Sequence, residues 1–227
     1  MKELLDTYWL YFLVGQYPHG PLGGLVLTLL LATLGLVLAL PLGILLGVAR
    51  FSPRAWLRRP VTAWVWVIRG TPLLMVVFWA YFFMPVVTGH KTDQFSTMLT
   101  ALVIFDAAYL AEIVHAGLQA LPRGQLHAAQ SLGMTRLQAL RLVLLPQALR
   151  HMLPSLINQF IATIKETSLG TIIGLAELSF IANQINAQVL VRPVEIYLIL
   201  AASYFMMCFG LTVLARRMER RLQWRRA

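Results

Sequence analysis

The sequence predicts an all-α membrane protein with five transmembrane helices and one polar loop on the cytoplasmic side. Three observations lead there. The chain of 227 residues is 59% hydrophobic and only 12% charged, far more apolar than a soluble domain. The run from Gly23 to Ala49 holds no charged residue, and at about 1.5 Å per helical residue it exceeds the roughly 30 Å of bilayer hydrocarbon. The arginines then fall in blocks between apolar runs, as they do in membrane proteins of fixed orientation.

The elements come in order. Residues 1–22 form an N-terminal segment whose apolar stretch, Trp9 to Val14, is too short for the core of a signal peptide and reads as an aromatic interfacial piece. The transmembrane domain covers 23–215. Its first span is the Gly23–Ala49 run, where Pro41 is expected to kink or break the helix. Further spans are expected over about Val61–Val87, Thr97–Leu118, Met152–Ile173 and Ile196–Leu214. Backbone groups in lipid must pair internally, so each is helical. Between the last two lies a semi-polar, helical stretch, Ala176 to Gln188. Residues 216–227 are a basic tail. Cys208 stands alone inside a span, which excludes disulfides and thiolate metal sites.

Charge sets the orientation. Arg50, Arg54, Arg58 and Arg59 follow the first span, Arg123, Arg136, Arg141 and Arg150 follow the third, and six arginines from Arg216 to Arg226 fill the tail. The other side has Lys2, Lys91 and Arg192, offset by Glu3, Asp6, Asp93 and Glu195. The positive-inside rule places the N-terminus outside and the C-terminus in the cytoplasm. The net charge of +10 is therefore an orientation signal, with headgroup contact as the job of the tail. Nucleic-acid binding does not fit, since the basic residues are scattered and no recognition module is present.

The segment 123–146 is the polar exception. Gly133 can take the left-handed conformation that ends a helix. Thr135 with Gln138 forms a capping box that starts a second helix, with Leu137, Leu140 and Leu144 on one face and Arg136 and Arg141 on others. Pro146 is expected to reset the backbone. Two short helices hinged at a glycine suit a partner's groove, although an ordinary loop would have the same ingredients.

Ionisable residues inside spans are costly unless paired or wetted. They are Arg69, Asp106, Glu112, Lys165 and Glu166. One reading is mutual neutralisation, with Lys165 and Arg69 balancing Glu112 and Glu166. The other notes that Gly70-Thr71-Pro72 and Thr167-Ser168 follow the charges. Broken backbone at membrane depth is tolerated where it lines a cavity, so charges beside breaks suit a zwitterion. Asp106 and Glu112, six residues apart, do not converge on one helix.

Two resemblances extend these readings. Ala128, Ala129, Gly133, Leu145 and Pro146 match the EAA loop of permease subunits of bacterial ABC importers, with His127 where the family has Glu and Val143 for Ile. Gly24-Leu25 with Thr28, Arg69-Gly70-Thr71-Pro72, Ala108-Tyr109-Leu110-Ala111-Glu112, Lys165-Glu166-Thr167-Ser168-Leu169 and Gly174-Leu175-Ala176-Glu177-Leu178 occur in register. Together they resemble the polar amino acid permeases, the group that includes histidine, glutamine, arginine and glutamate importers. The resemblance implies a type I ABC importer permease in the bacterial inner membrane. It implies a cytoplasmic ABC ATPase dimer carrying ATP and Mg, a second permease subunit of the same or a related chain, and a periplasmic or tethered amino-acid-binding protein. It also implies a coupling role for His127, Ala128, Ala129, Gly133, Leu145 and Pro146, and a substrate path lined by Arg69, Gly70, Thr71, Pro72, Glu112, Lys165, Glu166, Thr167 and Ser168.

The chain carries no Gly-x-x-x-x-Gly-Lys-Ser/Thr loop, so no ATP chemistry of its own is expected. No cofactor is expected on it either. His19, His90, His115, His127 and His151 are scattered, with no dyad or metal spacing, which argues against an intramembrane enzyme. A passive channel or scaffold would share the topology; the glycine-hinged loop is what separates the two.

Overall fold

The computed structural model describes residues 2–89 and 93–223. Helices α1 (Lys2–Val14), α2 (Gly24–Phe51), α3 (Ala55–Gly70), α4 (Leu73–Phe78), α5 (Met84–Thr88) and α6 (Gln94–Gln119) lead to the polar loop. The loop carries α7 (Arg123–Ser131) and α8 (Arg136–Ala139), and the chain continues through α9 (Leu145–Glu166), α10 (Leu178–Val189) and α11 (Pro193–Gln223). Lys91, Arg225 and Arg226, which contribute to the orientation argument, lie outside the described residues.

By length and composition α2, α6 and α11 can each cross a membrane, and α3 with α4–α5 makes a fourth, broken unit. The break expected at Gly70-Thr71-Pro72 within the Val61–Val87 span is present, and it turns the chain sharply: the two halves meet at 99°. The cause is local. Gly70 ends α3, Thr71 Oγ1 turns back to donate to the Val67 carbonyl, and Pro72 starts α4 in extended conformation. The expected span over Met152–Ile173 belongs to a longer unit, α9 followed by a 3-10 stretch, Thr167–Ile173; it is too polar to pass as a span by composition alone. Pro41 causes no break, since α2 runs through it.

One other proline acts differently from expectation. Pro146 does not separate a short helix from the next span. A π-helical turn, Leu140–Leu144, joins α8 to α9 without interruption. Pro146 has no N–H and its ring would crowd the carbonyl four residues back; widening the preceding turn relieves both problems. A second π turn, Trp79–Phe83, stands just ahead of Pro85 in the same way.

In lipid there is no hydrophobic force drawing spans together, so close packing and buried polar contacts decide. The largest interface is α2 on α6. It rests on a stripe of small buried residues at four-residue spacing, Gly35, Ala39, Gly43 and Gly47. A Cβ on Gly47 would stand 2.6 Å from that of Val114, and one on Gly43 would collide with Leu110. α6 also packs on α9, and α9 on α11.

The end away from the polar loop is tied by polar bonds. The Gly24 N–H donates to the Ala176 carbonyl at 2.9 Å, and the Leu178 N–H donates to Thr28 Oγ1 at 3.1 Å. Buried Glu177 caps α10 by accepting from the Ser179 and Phe180 N–H groups, and it also accepts from the Tyr204 hydroxyl on α11. A Cβ at Gly23 would lie 2.6 Å from the Ala176 oxygen. Two motifs far apart in sequence, Gly24-Leu25-Thr28 and Gly174–Leu178, are therefore halves of one joint. At the same end Asp93 caps α6 by accepting from the Ser96 hydroxyl and N–H.

Candidate functional site

The polar loop folds as a knob. Leu132 ends α7, and Gly133 follows at φ +82°. Both bonds of the capping box are formed: the Gln138 N–H donates to Thr135 Oγ1 at 3.3 Å, and the Thr135 N–H donates to Gln138 Oε1 at 2.8 Å. The tip is apolar and uncovered, with Leu132 81% exposed and Gly133 in open space. His127 and Ala128 face outward, whereas Ala129 is buried and Leu145 is half-buried against Val114, Leu118 and Ala148. Pro146 is exposed. The expected leucine face is divided: Leu144 is buried and Leu140 half-buried, but Leu137 is 60% exposed. A cleft of about 460 Å³ beside His127 is walled by Phe51, Leu118 and Leu126.

The ionisable residues separate into two groups. In the first, Glu112 Oε2 accepts from Arg50 at 2.9 Å and from Arg69 at 2.5 Å. Arg69 also lies over the Tyr109 ring, 5.3 Å from its centre, in cation–π contact. Arg50 is 6% exposed, Arg69 35% and Glu112 33%. By sequence Arg50 groups with the loop charges. In the structure it belongs to the last turn of α2 and is the most buried member of this cluster. The Arg50–Arg69–Glu112 set joins α2, α3 and α6 toward the knob end, where Gly47 meets Val114 and Phe51 packs near Leu118.

The second group lies between α6 and α9. Asp106 is fully buried and held by neutral partners: Gln159 Nε2 donates to it at 2.8 Å, and Thr163 Oγ1 lies 3.0 and 3.1 Å from its two oxygens. Glu166, one turn beyond Thr163, has a buried Oε2 with no hydrogen-bond partner. Lys165 is exposed. The neutralisation reading is met at Arg69 and Glu112, which pair, but among the described residues no ion pair joins Lys165 to Glu166. Thr167 and Ser168 return their hydroxyls to the carbonyls of Ile164 and Lys165, at 2.7 and 2.6 Å. They finish α9 as it tightens into the 3-10 stretch. Gly70 is exposed, and a Cβ there would meet nothing within 4 Å, so the break before α4 is open.

Sequence reasoning missed Gln159 and Thr163 as partners of Asp106, and Arg50 as a partner of Glu112. It also passed over the small-residue stripe, whose spacing was visible.

A helical bundle with one broken unit, a long small-residue interface and a capped polar knob is the build of a multi-pass membrane protein with a docking loop. Residues 39–224 match the family described as the binding-protein-dependent transport system inner membrane component, and the chain belongs to that family. It is 36% identical over 198 residues to the probable glutamine ABC transporter permease of Bacillus subtilis (strain 168), covering 86% of this chain and 90% of that one. It is 33% identical over 205 residues to an arginine transport system permease of the same organism, covering 89% and 92%. A crystal structure of an amino acid ABC transporter with histidines superposes with a TM-score of 0.79 at 37% identity, covering 87% of this chain and 92% of that one. The protein is thus an all-α, type I amino acid ABC permease subunit of the inner membrane.

Proposed function

We propose that this chain forms the translocation path of an ATP-driven importer of polar amino acids, with its N-terminus outside and its C-terminus in the cytoplasm. A cytoplasmic ABC ATPase dimer holding ATP and Mg docks on the knob. A second permease subunit, the same or a related chain, completes the path, and a periplasmic or tethered binding protein delivers the amino acid. The observation that supports this most is the knob itself, a left-handed glycine between a terminated helix and a capped one, with Leu132 uncovered at its tip. A passive channel has no use for such a feature.

The substrate path is assigned to Lys165, Glu166, Thr167 and Ser168 and to the Gly70-Thr71-Pro72 break. An exposed ammonium beside a carboxyl with an unused buried oxygen offers complementary charge to an α-amino acid. Arg69 and Glu112 belong to the same path by motif, but their mutual bond gives them a bracing role as well. Relatives named for glutamine and for arginine stand at comparable identity, so the side-chain class is left to measurement.

The test is coupling. Gly133→Pro cannot hold φ +82° and should insert in the membrane yet lose substrate-stimulated ATP hydrolysis in the reconstituted complex. Gly133→Ala meets no neighbour, so it should cost only the backbone strain, about 1 kcal/mol, and keep most stimulation. Normal stimulated hydrolysis by the proline variant would refute the coupling role.

A further inference from the structure

We propose that the groove between the knob and the α2–α3 elbow binds one anionic phospholipid of the cytoplasmic leaflet. The proposal rests on the orientation given above. The groove holds about 490 Å³, within the usual range of a ligand site that is mostly apolar with a few placed polar groups. One wall is Leu45, Val48 and Leu57; the other is Leu137, Leu140 and Leu144. Arg54 and Arg136, one from each wall, are its charged lining residues, and no acidic residue lines it. Among the described residues neither guanidinium is paired with a carboxylate.

Position along α2 gives the ligand its shape. α2 has 28 residues, about 42 Å of helix against about 30 Å of hydrocarbon, so its last turns reach the headgroup layer. Leu34, Leu38, Leu42 and Leu45 are all exposed and recur every three or four residues, so they form one apolar stripe down the helix. The stripe enters the groove at Leu45, which is 66% exposed. Arg54 comes nine residues later, beyond the end of α2. An acyl chain laid on the stripe puts its phosphate beside Arg54 and Arg136. Basic pockets between helices on the cytoplasmic side hold anionic headgroups in this way. Neither a soluble anion nor a zwitterionic lipid uses both the leucine track and the uncompensated arginines. Because Arg136 and Leu137 belong to α8, a lipid seated here braces the knob against the elbow.

The test reads lipid retention by native mass spectrometry, on the chain with its partners extracted from nanodiscs of equal phosphatidylglycerol and phosphatidylcholine. The wild type should retain phosphatidylglycerol with about thirty-fold preference, which is about 1 kcal/mol for each of two arginines. Arg54→Gln with Arg136→Gln should bring the preference near unity. Leu45→Trp, at an exposed position, should reduce retention of both lipids. Melting temperature serves as the check on folding for each variant. Equal retention of the two lipids by the wild type, or an unchanged preference in the arginine variant, overturns the proposal. So does occupancy by the ATPase or a second permease copy. In a Cys208→Ser background that would protect Leu137→Cys from maleimide only on assembly, with no effect of phosphatidylglycerol. Failure to assemble with an ATPase would sink the coupling reading instead, and the lipid preference would still be read on the chain alone.

Discussion

Removing the negative charge of Glu112 tests which arginine it serves. Arg50 is nearly inaccessible, and its Nε has no hydrogen-bond partner, so the carboxylate is its main compensation. Arg69 is a third exposed and also rests on Tyr109. Breaking a buried ion pair by deleting one partner costs about 3–5 kcal/mol. Glu112 itself is a third exposed, so water enters and the cost falls to or below the lower end of that range: about 2–3 kcal/mol for Glu112→Gln. The exposed half of the cluster should contribute less than about 1 kcal/mol. A second change should then separate the two arginines. Arg50→Met with Glu112→Gln removes the stranded charge and should recover most of the loss, whereas Arg69→Met with Glu112→Gln should recover little. The assay is a double-mutant cycle on melting of the purified chain in detergent, followed by tryptophan fluorescence. Equal recovery by the two double variants, or wild-type melting of Glu112→Gln alone, would refute the reasoning.

Four further outcomes are expected. Gly43→Val should drive a side chain into Leu110 and lower stability by about 1–3 kcal/mol, while Gly210→Ala, in open space on α11, should melt like the wild type. Asp106→Asn can still accept from Gln159 and donate to Thr163, so it should assemble normally; Asp106→Leu strands the Gln159 amide at about 1–3 kcal/mol, while Thr163 keeps its bond to the Gln159 carbonyl, and equal melting of the two variants would count against the network. Asp93→Ala removes a helix cap worth about 1 kcal/mol at neutral pH. Ser96 holds the Asp93 carboxyl below its ordinary value of 3.8, so the charge-linked part of this stability is present above about pH 4 and is lost as pH falls through the lowered folded value, leaving what a neutral cap supplies; a difference from wild type that does not shrink at all in stronger acid would contradict the charged cap. Finally, Lys165→Met and Glu166→Gln should abolish uptake in proteoliposomes while basal hydrolysis continues, and wild-type uptake by both would leave those residues without a substrate role.

The features legible in the sequence are the local ones. The capping box at Thr135 and the left-handed Gly133 are set by residues within four positions of each other, and both stand as read. The break at Gly70-Thr71-Pro72 was likewise visible, though not that it turns the chain by 99°. Pro146 was legible as a disturbance, but whether a proline breaks a helix or widens one turn depends on neighbours that hold the axis. Arg50 was misplaced because a hydropathy run ends at the first charge, whereas the helix continues to wherever that charge finds a partner, here 62 positions away. Asp106 had no local clue at all; Gln159 lies 53 residues on, and a single chain does not announce such a pair.

The two charged groups gain meaning from how the knob is wired into the bundle. Glu112 and Asp106 are six residues apart on α6, about 9 Å along its axis, and bind different neighbours: Glu112 holds α2 and α3, and Asp106 holds α9. α6 runs into α7 through only Ala120, Leu121 and Pro122, and α8 continues into α9 through the π turn. The knob is therefore in series with both helices, and the segment around Gly133 is its point of freedom. In the proposed reading, a push on the knob would pass into α6 and α9 along the chain, and into α2 where Val48 and Phe51 pack in one cluster with Leu126, Leu140 and Leu144. It would then load the α6–α9 contact made by Asp106, Gln159 and Thr163, one turn before Glu166. The Arg50–Glu112–Arg69 bracket resists at the other side, holding α6 to α2 and the α3 elbow. In the function proposed above, a structural role for Arg69 and Glu112 and a substrate role for Lys165 and Glu166 would be complementary. The bracket would supply a fixed side for movement of α9, whose end carries the unpartnered Glu166 oxygen and the exposed Lys165.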